Sequence, residues 1–166
     1  MFDKINVAKI VRDHVATLKS FETDKYRSSD FILFFFFPLL LSGILVYFKF
    51  ILGKDFINIL ATSLSIFAAL LLNLLLLIYD ILRKSDKTDI NYKLKATFLK
   101  EIYANISFCI LISILTIVFL IIASLDIKEL ESILAFVIYS LVFVFVLTLF
   151  MVLKRVHILL SKEVSS

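Results

Sequence analysis

FINILATSLSIFAALLLNLLLLIY, residues 56 to 79, runs for 24 positions without a charge between Asp55 and Asp80. At a helical rise of 1.5 Å per residue, about 20 apolar residues cross a hydrocarbon layer of roughly 30 Å. The stretch is therefore read as a membrane span. Its polar positions also fall in a pattern. Asp55, Asn58, Thr62, Ser65, Asn73 and Asp80 follow one another at intervals of 3, 4, 3, 8 and 7, with Ala69 inside the gap of eight. At about 100° per residue they share an arc of roughly 80° on one helix face. A membrane helix with one polar stripe turns it either to another helix or to water.

The whole chain agrees with this reading. Of 166 residues 61% are hydrophobic, and 18 are Phe. Soluble domains usually hold 45–50% apolar residues, so the composition argues against a single water-soluble globule. Two glycines and one proline leave little turn chemistry for an all-β fold. Long unbroken apolar runs also differ from the alternating pattern of a membrane barrel.

Upstream, Phe31 to Phe48 is an 18-residue uncharged span in which Pro38 is expected to kink the helix. Ser42 and Gly43 there allow close approach of another helix. The short link Lys49 to Lys54 predicts that spans one and two form an antiparallel hairpin. Residues 1 to 30 are charged, with no signal-peptide pattern. Within them Ala8, Val11, Val15 and Leu18 predict a short amphipathic helix facing away from Asn6, Lys9, Asp13, Thr17 and Ser20. It packs on a membrane surface, on a partner, or on this protein's own cytoplasmic loop.

Downstream, residues 81 to 101 read as a basic cytoplasmic loop. Ile102 to Leu125 is a third span of 24 residues, and Glu101, Asn105, Cys109, Ser113 and Thr116 give it a second stripe at intervals of 4, 4, 4 and 3. That stripe invites pairing with the first. The acidic turn 126–131 precedes a fourth span, Ser132 to Leu153, and residues 154–166 form a polar tail. Fifteen of the 18 Lys and Arg residues lie in residues 1–30, 81–101 and 154–166, and three lie in the two hairpin turns. The positive-inside rule then puts both termini in the cytoplasm. The net charge of +4 and a pI near 9.1 follow from this sorting and do not require nucleic acid.

The expected fold is all-α: a four-helix integral membrane protein of two antiparallel hairpins, comprising residues 31–153 after an amphipathic helix. No catalytic or metal constellation, serine elbow or phosphate loop is evident, and no cofactor or small-molecule substrate is expected. His14 and His157 read as surface residues. Cys109, lone and inside an apolar run, reads as packing. Asn73 is the most expensive polar choice, either an interhelical hydrogen-bonding group or a pore-lining one. With Asn58, Thr62, Ser65, Asn105, Ser113 and Thr116 it makes up the candidate pore-lining or interhelical set. Tyr79 and Asp80 are candidate interface or gating positions. Four helices of one chain fill their own interior, so conduction requires an oligomer.

RDHVATLKSFETDKYRSSDFILFFFFPLL (12–40) and SLSIFAALLLNLLLLIYDILRK (63–84) resemble small four-span effectors of bacterial antiphage defence loci, those of retron systems. The resemblance spans roughly residues 11 to 84. It implies a non-enzymatic effector that, once released by its partners, disrupts the inner membrane and halts growth (abortive infection). The partners so implied are the lipid bilayer, further copies of the chain, and a cytoplasmic protein or ribonucleoprotein contacting residues 1–30 and 81–101. A membrane anchor recruiting a soluble sensor or enzyme is the alternative, and a small channel or transporter a third.

Overall fold

The computed structural model describes residues 7–18, 32–50, 52–84, 92–125 and 127–164. Expectations placed on residues 19–31 and 85–91 lie outside them. Everything regular among the described residues is helical: α1 (Ala8–Ala16), a π-helical segment (Ile32–Phe36) running into α2 (Phe37–Tyr47), α3 (Lys54–Lys84), α4 (Tyr92–Ala123) and α5 (Glu131–Val164). Three helices, α3, α4 and α5, are long and apolar enough to cross a membrane.

The helices outrun the apolar segments that nucleate them. α3 continues to Lys84, α4 begins at Tyr92, and α5 continues to Val164, so much of the expected loop and tail is helix. In α3 the ends suit the helix dipole, with Asp55 in the first turn and Arg83 and Lys84 in the last.

Pro38 lies buried near the start of α2. It has no N–H to offer the carbonyl of Phe34, and the helix ahead of it has the wider π spacing. Ser42, fully buried, donates its hydroxyl to the Pro38 carbonyl at 2.7 Å. Gly43 does face another helix, α5. A Cβ there would stand 4.0 Å from Phe136, an ordinary contact, so the approach does not demand glycine. α2 ends in a Schellman turn: Phe50 N–H donates to Leu45 O at 3.0 Å and Lys49 N–H to Val46 O at 2.9 Å. Lys49 takes the left-handed position at φ 54°, where glycine is the usual residue.

Packing follows a row: α3 lies on α4, α4 on α5, and α5 on α2, while α1 lies on α4. No backbone contact joins α2 to α3. The hairpin expected from the short link thus opens, and its two arms reach opposite sides of the α4–α5 pair. α4 is the centre, with Leu99, Ile102, Ile106, Cys109 and Leu120 almost wholly enclosed. α3 meets α4 through Ile57, Ala61, Leu64, Ala68, Leu71, Leu75, Ile78 and Leu82, buried or half-buried at alternating intervals of four and three. That is a coiled-coil seam. Aromatic rings reach further, with Phe67 edge-on to Phe145 of α5 at 5.8 Å between centroids.

Candidate functional site

The seam decides where the first polar stripe goes. On a helical wheel its centre lies roughly 130° from the centre of the Asn58–Asp80 stripe, which therefore cannot share the contact with α4. Asn58, Thr62, Ser65, Ala69, Asn73, Tyr79 and Asp80 are all exposed. Only 11% of the most apolar stretch of α3 is buried within the chain, against 44% for α4. The second stripe behaves oppositely: Asn105, Cys109, Ser113 and Thr116 are buried. The expected pairing of the two stripes does not form, because one faces out and the other in.

Hydroxyls on both stripes are satisfied within their own helices. Thr62 donates to Asn58 O at 2.8 Å, Ser65 to Ala61 O at 2.7 Å, Ser113 to Cys109 O at 2.8 Å and Thr116 to Ile112 O at 2.7 Å. Neither the Asn58 nor the Asn73 side-chain amide makes such a bond among the described residues. The outward face therefore presents Asn58 and Asn73 as its unmet polar demand, with Ser65 and Ala69 as small residues between them.

Asn105 answers a different need. It receives α1. His14, at 1% exposure, places Nδ1 2.9 Å from Asn105 Oδ1 and stacks on Phe108, rings 3.8 Å apart and 3° from parallel. Phe34 meets the imidazole edge-on at 6.3 Å. Thr17 Oγ1 lies 2.8 Å from Asn105 Oδ1 and 2.7 Å from His14 O; its one proton serves one oxygen at a time. Asn105 Nδ2 has no partner. An amide turned end for end would aim both Nδ2 protons at His14 and Thr17, leaving an oxygen, the cheaper orphan.

Arg155 of α5 closes the cluster. Its Nη2 donates to Thr17 O at 2.7 Å, a cation capping the C-terminal end of α1, where the helix dipole favours it. Nη1 sits 3.2 Å from Glu101 Oε2, yet that nitrogen is buried and makes no well-aligned hydrogen bond. The contact is an ion pair by distance alone. Burial takes the His14 imidazole from its ordinary 6.5 down to about 4, with the Asn105 bond opposing and the Arg155 charge adding.

His14 is thus not the surface residue expected, whereas His157 is exposed. The docked face of α1 also differs from the apolar one read from sequence. Of the expected apolar face Leu18 is buried and Val15 half-buried, but Ala8 and Val11 are exposed, and the docked face includes His14 and Thr17 instead. Asn105 of α4 and Arg155 of α5 make the polar contacts with this face. The one signal available was the Asp13–His14 step inside a helical pattern, which points to a histidine but not to its partner.

No family model matches the chain, nor does any curated protein or solved structure.

Proposed function

We propose that this protein is a non-enzymatic, four-span inner-membrane protein whose copies associate along the polar face of α3 and so perturb the bilayer. The observation that carries the reading is the exposure of Asn73 and Asn58 on a helix otherwise suited to hydrocarbon. An unpaired amide in lipid costs several kcal/mol, and a second copy supplies a partner, since each amide both donates and accepts. Pairing of this kind is worth on the order of 1 kcal/mol per contact. Ser65 and Ala69 between the two amides favour close helix approach.

Four spans, residues 31–48 included, and cytoplasmic termini rest on the sorting of Lys and Arg. The setting, an antiphage effector released by a cytoplasmic protein or ribonucleoprotein, rests on the resemblance of residues 11–84 to retron effectors. Expression with the trigger, or without the inhibiting partner, is expected to collapse membrane potential. Asn73→Leu, inserted at the same level, is expected to abolish the collapse. Growth arrest with unchanged potential and dye uptake would refute the reading.

A further inference from the structure

One face of α5 changes character along its length. Leu147, Phe150, Met151, Lys154, Arg155 and Ile158 recur at intervals of 3, 1, 3, 1 and 3, and all line a single groove of about 470 Å³. From Leu147 to Arg155 the rise is about 12 Å along the helix axis. Leu33 and Phe34 wall the apolar half, and Thr17, Phe98 and Glu101 reach the cationic half. Such a volume falls within the range of small-molecule sites, roughly 300–1,000 Å³.

We infer that this groove holds an anionic phospholipid, its phosphate at Lys154 and Arg155 and an acyl chain along Met151, Phe150 and Leu147. Two observations support that occupant, and the first sets it apart from a free anion. The groove is amphipathic in the sense a lipid requires, with its cations at the end of the span and its apolar wall running toward the span's interior. Its charge is net positive, Lys154 and Arg155 against Glu101, at a level where basic pockets between helices select anionic headgroups. Arg155 Nη1 is enclosed beside Glu101 and Nη2 holds Thr17 O, so Arg155 acts on the headgroup by its charge and the exposed Lys154 supplies the direct contact.

The test is native mass spectrometry of the full chain released from mixed micelles carrying phosphatidylglycerol or phosphatidylcholine. A retained phosphatidylglycerol adduct in clear excess over phosphatidylcholine is expected. Lys154→Gln, an exposed position, should weaken it about fivefold, the effect of one cation near a headgroup. Met151→Trp, which fills the apolar half, should remove it while leaving α1 docked. Equal adducts of the two lipids, or a preference untouched by both substitutions, would overturn the inference. So would displacement by inorganic phosphate alone, which would make the site one for a free anion. Absence of any adduct, with a cysteine at position 151 cross-linking to one within residues 19–31, would assign the groove to the chain's own segment and also overturn it.

Discussion

His14 is the residue on which the N-terminal helix depends. Its folded pKa of about 4 lies below the ordinary 6.5, so the docked state binds fewer protons than the undocked one. Docking is then strongest above pH 6.5 and weakens as pH falls through the window down to about 4. At about 1.4 kcal/mol per pH unit, the full loss approaches roughly 3 kcal/mol. Protection factors of the α1 amides in micelles, the exchange rates corrected for their intrinsic pH dependence, are expected to fall progressively over that window in the wild type. In His14→Phe, which retains stacking on Phe108 without a titrating group, α1 should show no such fall. Wild-type protection factors constant from pH 7 to about pH 4 would contradict the assignment. The histidine itself was visible in the sequence. Its burial was not, because the amide that receives it lies 91 positions away.

At the scale of the element, α3 carries two messages in one string. The conspicuous one, Asn58 through Asp80, reads as a face turned either to another helix or to water, with the second stripe as a possible partner. The quieter one, Ile57, Leu64, Leu71 and Ile78 at intervals of seven, is what meets α4. Both were legible as spacing, yet choosing between them needed the packing partner. On α4 the stripe faces the other way: Asn105, Ser113 and Thr116 are enclosed. Leu71→Ala should therefore loosen the α3–α4 seam. With lipid as the outside phase the transfer term shrinks and lost packing remains, so about 1–2 kcal/mol is expected in detergent unfolding. Asn73→Leu, two positions on, should leave that stability of the single chain almost unchanged. Equal losses from both would show that the outward face packs within the chain.

For the whole molecule, the helical class and three long apolar helices followed from composition, but the order of helices in space did not. A six-residue link is short enough to suggest neighbours and long enough to permit the open arrangement, in which α2 and α3 both give up mutual contact to lie on the α4–α5 pair. The row leaves α3 on the outside with its polar face free. Association through that face predicts that Ala69→Cys protomers become disulfide-linked under mild oxidation in membranes, while Leu153→Cys protomers, exposed on α5, remain single. Native Cys109 is fully enclosed and contributes no background. Linkage at position 153 and none at 69 would place the interface elsewhere.

The run from Ile32 to Tyr47 is 16 residues. As helix it is about 24–25 Å tall, several ångströms less than a typical hydrocarbon layer. As the fourth span proposed above, it would make lipids beside it shorten or tilt to meet its ends, whereas those beside the longer α3, α4 and α5 would not. Each protomer would then carry a built-in dimple on one flank, and an array of protomers would concentrate that elastic strain in the surrounding leaflets.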